Sequence, residues 1–335
     1  MNNHPKHRSA VAAILATAAF VLTGCVTNEE LGNPDGWEEI LPPAKPELVD
    51  MVPQKFQDKG TLSAAANAPY APNEFKDSEG KIIGFEMDLV RAAGSKLGLD
   101  VVPRQMDFNL ILPAVSAGTI DVGASAFTDT EERQKNYDFV DFFSAGIAWA
   151  TQPGRENSID PDNACGLTVA VQKGTYSDTD EVEEKSQACV ENGKPAIDKL
   201  VYPTADAAAT ATILKRADAY SSDSSVTAFA IQRSEDKLVQ VGEAFDTAPF
   251  GWAFPKGSEL GRAFAAALQD MMDDGTYDKI LKPWGLEEGA LDEVTFNLKP
   301  LPQTRQRHNQ LPDATGRRTR RGTNHTMNRR RREHS

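Results

Sequence analysis

Gly84-Phe85-Glu86-Met87-Asp88-Leu89-Val90-Arg91-Ala92-Ala93-Gly94-Ser95-Lys96-Leu97-Gly98 decides the fold. Leu89, Val90, Ala93 and Leu97 share one face at helical spacing and Gly98 stops the run, which predicts a helix over 85–97. Upstream, Thr61 to Ala66 reads as a strand. Downstream the rhythm repeats: a short helix over 110–117 ending at Gly118, a buried strand over 120–125, a strand over 167–171, a helix starting near Tyr176, a helix over 205–215 and a strand over 217–221. Leu260, Phe264, Leu268 and Met271 form a further helical stripe that ends at Gly275. Strands alternating with helices in this way predict α/β lobes with mostly parallel sheets.

Charge is spread unevenly. Residues 303–335 hold ten Arg against only Asp313 and Glu333, so residues 1–302 keep 26 of the 36 basic and 47 of the 49 acidic side chains, a balance of −21. A body of that sign repels phosphate, and no nucleic-acid partner is expected. The Arg-rich tail has few large apolar residues and is expected to be disordered. It reads as a solvated extension or as a binder of anionic cell-wall polymers or lipid headgroups.

The histidines are His4, His7, His308, His325 and His334, none of them in the globular body. Neither a Ser-His-Asp or Cys-His catalytic group nor a His-ligated zinc site can be built there, and the commonest general base is missing. Asp160, Asp162 and Asn163 begin like a calcium loop, but Cys165 stands where a glycine is needed and the closing glutamate is absent. Val171-Gln172-Lys173-Gly174-Thr175 lacks the first glycine of a phosphate-binding loop. Glu86 and Asp88 are two apart and share no helix face, so no acid–base role is assigned to them. No cofactor and no metal are expected.

Lys6 and Arg8 precede an apolar run from Ser9 to Leu22, too short to span a bilayer, which closes on Leu22-Thr23-Gly24-Cys25. The pattern resembles a bacterial lipoprotein signal, with residues 1–24 removed and acyl chains placed on Cys25. That resemblance implies a protein anchored by lipid at the extracellular face of the cytoplasmic membrane. The other reading is an ordinary signal peptide with an incidental cysteine. Residues 25–47 are polar, with Pro and Gly, and read as a flexible tether. With Cys25 assigned to lipid, Cys165 and Cys189 remain as a pair. Outside the membrane such a pair is usually oxidised, two buried thiols being the alternative.

A series of short runs identifies a family. The opening stretch is preceded by Ala68-Pro69-Tyr70-Ala71-Pro72 and followed by Asp107-Phe108-Asn109, Leu112-Pro113, Gly118-Thr119-Ile120-Asp121 and Thr128-Asp129-Thr130-Glu131-Glu132-Arg133. Gly174-Thr175, Arg216-Ala217-Asp218-Ala219 with Asp223, and Asp274-Gly275-Thr276-Tyr277 complete the series. In this order, over about residues 48–298, the chain resembles bacterial extracellular solute-binding proteins of family 3, the polar-amino-acid class, in an actinobacterial form. The resemblance implies a type II periplasmic-binding-protein fold: two α/β lobes joined by two hinge strands with a cleft between. Lobe one would comprise residues 48–152 and 247–298, and lobe two residues 153–246. Ligand would sit in the cleft at the carboxyl ends of strands, enclosed by hinge closure.

The resemblance also implies a site for a zwitterion. Arg133 would fork onto the ligand carboxylate, for which a planar fixed cation is suited. Backbone N–H groups near Thr128, Thr175 and Tyr176 would add donors, the last two at the opening of a predicted helix. Asp223, aided by the Ser125 carbonyl, would take the ammonium. Tyr70 and Phe108 would wall the ligand side chain, and Asn67, Gln172 and Ser222 would face it. Binders of Lys or Arg tend to place an acid at the position of Asn67, so these three groups point to a neutral polar side chain. Taken singly, Arg133 reads as a surface cation, Asp223 as a loop acid and Phe108 as a core ring. The expected function is an ABC-importer receptor that passes a polar amino acid to a membrane permease driven by a cytoplasmic ATPase, without covalent chemistry. A dehydratase of the same fold, working with carboxylates, and an amino-acid sensor module are the alternatives.

Overall fold

The computed structural model of the chain describes residues 32–301. The expected signal over 1–24, Cys25, the first part of the tether and the 303–335 tail lie outside the described residues. In chain order the principal elements begin with β1 (Thr61–Ala66), α1 (Phe85–Lys96), β2 (Asp100–Gln105), α2 (Phe108–Ser116), β3 (Val122–Thr128), α3 (Glu131–Gln134) and β4 (Tyr137–Thr151). They continue with β5 (Thr168–Gln172), α4 (Val182–Glu191), β6 (Asp198–Tyr202), α5 (Ala205–Ile213), β7 (Ala219–Asp223), α6 (Ser224–Arg233), β8 (Val239–Pro255), α7 (Glu259–Asp273) and α8 (Thr276–Trp284). Among the described residues, no helix is long and apolar enough to cross a membrane.

The strands lie in the order β2-β1-β3-β8-β4-β7-β5-β6. The outer pairings β1–β2, β1–β3, β5–β6 and β5–β7 are parallel, as the alternating pattern predicts. The central pairings of β8 with β3 and β4, and of β4 with β7, are antiparallel. This difference has a simple cause. β4 and β8 are 15 and 17 residues long and carry the chain from one lobe to the other and back. Two such crossings must run in opposite directions. Their ladder spans Tyr137↔Pro255 to Thr151↔Val239, with register shifts at Val241/Phe245, Phe245/Ala248 and Phe250/Gly251. Each shift is a bulge that bends the shared ribbon.

Two glycines of the opening stretch have steric reasons to be there. Gly84 holds φ 131°, and a Cβ on it would stand 2.1 Å from the Asn73 carbonyl oxygen. A Cβ on Gly94 would stand 2.4 Å from Val101 Cγ2, so its absence lets α1 lie close on β2. Over α1, Phe142 stacks on Trp252 at 5.0 Å, and Phe264 of α7 meets Trp252 edge-on at 5.9 Å. A separate core gathers Trp149, Val169, Val171, Val182 and Val241. Cys165 and Cys189 are joined there in a disulfide across a sequence separation of 24, closing a loop worth about 3 kcal/mol in the chain-entropy account.

The expected 25–47 tether requires a correction at its end, because residues 37–45 are docked. Trp37 Nε1 donates to Asp88 Oδ2 at 2.7 Å, and the Trp284 indole reaches the same oxygen at 3.0 Å. Ser95 Oγ donates to the Pro42 carbonyl at 2.7 Å, and the Lys45 N–H to the Lys96 carbonyl at 3.0 Å. Lys96, 1% exposed, is paired with Asp270 and Asp274 on and just after α7, and Lys45 reaches Asp270 from outside. A polar, Pro-containing composition reads as a linker, but the two tryptophans close over one carboxylate and hold this part of it.

Candidate functional site

The carboxyl ends of β1, β3, β5 and β7 bring most of the predicted residues together. Asp223 is the last residue of β7 and precedes the first residue of α6, so it stands within the strand, not beyond it as the 217–221 prediction has it. It is 7% exposed. Its Oδ2 accepts the Tyr70 hydroxyl at 2.5 Å, and the same phenol oxygen lies 3.3 Å from Ser222 Oγ. Tyr70 follows β1 and Asp223 ends β7, 153 residues on, so this bond ties together the two sides of the sheet's central strands. Burial pushes the Asp223 carboxyl up to about 7, against the pull of the Tyr70 hydroxyl and Arg133. Burial and the charge of Asp223 raise Tyr70 well above the usual phenol range, so it remains a donor.

Arg133 sits in the single turn α3, which Thr130 caps by accepting the Arg133 N–H at 3.2 Å. The guanidinium donates to the Thr128 carbonyl at 2.8 Å and, just past β5, to the Gly174 carbonyl at 3.3 Å. It also lies 5.9 Å from the centre of the Phe127 ring. Desolvation lowers its proton affinity, while Asp180, Asp223 and Asp129 raise it. Arg133 and Asp223 therefore feel one another across the same space, with opposite sign.

A third bridge joins two amides. Gln172 Nε2 donates to Asn67 Oδ1 at 2.7 Å, while Asn67 Nδ2 donates to the Met106 carbonyl at 2.9 Å. Gln172 Oε1 is buried and has no donor among the described residues. Buried acceptors are rarely left in that condition. The Asn67 N–H is accepted by Ser125 Oγ at 3.0 Å.

Phe108 opens α2 and stacks on Phe127 at 4.7 Å. The predicted start at 110 is two residues late, because Asp107 makes no side-chain cap to mark the true one. Phe108 thus belongs both to the core with Ile111 and Val115 and to the cleft beside Gly174. Thr175 Oγ1 turns back to the Gln172 carbonyl at 2.8 Å. After Tyr176 the chain makes a wide π turn over Ser177–Glu181 before α4, so the anion-favouring helix start predicted near Tyr176 opens as a π turn. Glu74 was not singled out by sequence: it is 0% exposed and bonds Ser125 Oγ at 2.5 Å. A loop acid carries no periodic signal of burial.

Comparison with known proteins bears on this geometry. Residues 62–287 match the bacterial extracellular solute-binding proteins, family 3. The arginine-binding protein ArgT of Corynebacterium glutamicum is 53% identical over 297 residues, covering 89% of this chain and 98% of that one. Among solved structures, an ancestral arginine-binding protein bound to arginine aligns with a TM-score of 0.62 at 35% identity, over 67% of this chain and 98% of its own. An ancestral amino-acid-binding protein that is a precursor of cyclohexadienyl dehydratase aligns with a TM-score of 0.60 at 30% identity, over 69% of this chain and 98% of its own.

Proposed function

The chain belongs to the bacterial extracellular solute-binding proteins of family 3, and from that premise we propose that it is the arginine-binding receptor of an ABC importer. One observation carries the reading: Arg133 and Asp223, of opposite charge and from opposite lobes, meet at a cleft bridged by Tyr70. Arg133 takes the ligand carboxylate, helped by backbone N–H groups at Thr128, Thr175 and Tyr176. Asp223 and the Ser125 carbonyl take the ammonium. Tyr70 and Phe108 flank the side chain, with Asn67, Gln172 and Ser222 at its polar end.

The sequence alone pointed to a neutral side chain because Asn67 replaces an acid. The 53% identity to an arginine-binding protein favours arginine instead. A guanidinium has five donors, and Gln172 Oε1 is a buried acceptor without one. The aromatic faces of Tyr70 and Phe108 add cation–π attraction. In this reading lobe one comprises residues 48–152 and 247–298, and lobe two residues 153–246. Cys25 carries the lipid anchor at the extracellular face of the cytoplasmic membrane, and a permease with its cytoplasmic ATPase receives the ligand. The protein is a receptor and not an enzyme. The likeness to a dehydratase precursor supports no rival, since that precursor is itself an amino-acid-binding protein.

Calorimetric titration with each of the twenty amino acids tests the assignment. L-Arginine is expected to bind tightest. Arg133→Ala and Asp223→Ala are each expected to weaken it by ~3–5 kcal/mol with the fold intact by circular dichroism, since each leaves a charge unpaired. Retained affinity in Arg133→Ala refutes the carboxylate role, and tighter binding of L-glutamine than L-arginine refutes the side-chain assignment.

A further inference from the structure

β3 is irregular near its ligand-facing end. Its ladder with β8 pairs Gly123 with Ala253 and Phe127 with Gly251, so Ala124, Ser125 and Ala126 stand opposite Trp252 alone. Such a bulge re-aims the strand. Ala126 holds φ 49°, a left-handed conformation that a non-glycine residue keeps only where its surroundings impose it.

Two glutamates impose it. Glu86 of α1 accepts the Ala126 N–H through Oε2 at 2.8 Å. Glu74 accepts the Ser125 hydroxyl through Oε1, and that hydroxyl accepts the Asn67 N–H. Both glutamates are 0% exposed. Their remaining oxygens, Glu74 Oε2 and Glu86 Oε1, have no donor among the described residues, and the two carboxyls, bonded to the adjacent Ser125 and Ala126, are close enough to shift one another's proton affinity. Two carboxylates are acceptors only and cannot satisfy one another, whereas a single proton between them supplies the missing donor. Burial raises both carboxyls, and the mutual charge raises Glu74 further. The charged group facing Glu74 from lobe two is Asp223, an acid that also favours keeping the proton.

We propose that Glu74 and Glu86 share one proton and act as positioning residues, holding the Ser125–Ala126 bulge in the shape that lobe one presents to the ligand. The proposal rests on the binding function above. Asp129 and Asp141 form a similar buried pair beyond the end of β3, with Oδ2 and Oδ1 lacking donors. A test must therefore compare proteins that differ at Glu74 or Glu86 alone.

Glu74→Gln keeps the side-chain shape and puts an amide N–H in place of the shared proton. Glu86→Ala removes the acceptor of the Ala126 N–H. Above about pH 5, where an ordinary glutamate ionises, the pair keeps in the native, ligand-free protein one proton that both side chains have lost in the unfolded chain, until the raised pair itself ionises. The pair's contribution to stability therefore falls as pH rises from about 5 towards that point. The folding equilibrium constant is expected to drop about tenfold per pH unit relative to Glu74→Gln in urea unfolding. The infrared spectrum of Glu74→Gln at pH 7 is expected to lack one protonated-carboxyl band. For L-arginine at pH 7, Glu74→Gln is expected within about threefold of wild type and Glu86→Ala to bind about tenfold more weakly. Parallel pH curves or an unchanged infrared band overturn the shared proton. Glu86→Ala binding as tightly as wild type overturns the positioning role; if that variant does not fold, Ser125→Ala, which removes the hydroxyl link, takes its place. If wild type does not bind L-arginine, the ligand assignment fails, while the unfolding and infrared measurements still decide the pair.

Discussion

Asp223, to which we assign the ligand ammonium, shows how a charge survives burial. Its carboxyl is raised to about 7 in the ligand-free cleft, chiefly by desolvation, so near neutrality it is divided between neutral and ionised forms. An ammonium pairs with the ionised form only. Above pH 7 that form is already present and affinity gains nothing more from this group. Below pH 7 binding must first expel the proton. The dissociation constant for L-arginine is therefore expected to rise towards tenfold per pH unit from pH 7 to pH 5. Asp223→Asn is expected to weaken binding and to flatten this slope, in calorimetric titrations at each pH. An undiminished slope in Asp223→Asn would assign the titration to another group. Arg133 behaves differently, because even a lowered guanidinium stays charged over this range.

At the scale of elements, the opening stretch forms its helix because its glycines permit two close approaches. Gly84→Ala is expected to cost roughly 2–4 kcal/mol in urea unfolding, since the new Cβ meets backbone oxygen and the φ of 131° is poorly accessible to alanine. Gly60→Ala is the control: its φ is 67°, but nothing lies within 4 Å of the new Cβ, so only about 1 kcal/mol of backbone strain is expected. Equal costs at the two sites would refute the steric account. The helix of 85–96 and the strand of 61–66 were legible because apolar spacing and a stop glycine are local signals. The end of α5 was placed two residues late, since nothing local announces the left-handed Lys215 at φ 59°. β3 was placed too early at both ends, and its final residues lie beyond a bulge held by side chains from two other elements. The antiparallel centre of the sheet and the docked Trp37 depend on where distant segments return, which no periodicity records. The order of motifs points to Arg133, Asp223 and Tyr70, which the structure links by hydrogen bonds and charge, whereas nothing in it marks Glu74 or the Gly174 carbonyl.

On the scale of the whole molecule, the cleft is joined by bonds between the very groups assigned to ligand. Tyr70 holds Asp223, Gln172 holds Asn67, and Arg133 holds the Gly174 carbonyl. Each is worth about 1 kcal/mol, somewhat more where a charge takes part. An amino acid that enters must replace two of these bonds before it gains anything, so its affinity is a difference between ligand contacts and lobe–lobe contacts. The bulged ribbon of β4 and β8 supplies a hinge about which the lobes can part. Tyr70→Phe removes the phenol's bonds to Asp223 and Ser222 without altering the ring. Small-angle scattering of the ligand-free variant is expected to give a larger radius of gyration than wild type, because fewer contacts hold the lobes shut. Saturating L-arginine is expected to bring both proteins to the same compact value, since in the proposed site the ligand then supplies the bridge between Arg133 and Asp223. Equal ligand-free radii, unmoved by L-arginine at concentrations that calorimetry shows to saturate the protein, would mean that the lobes do not part, and the clamp mechanism would have to be abandoned.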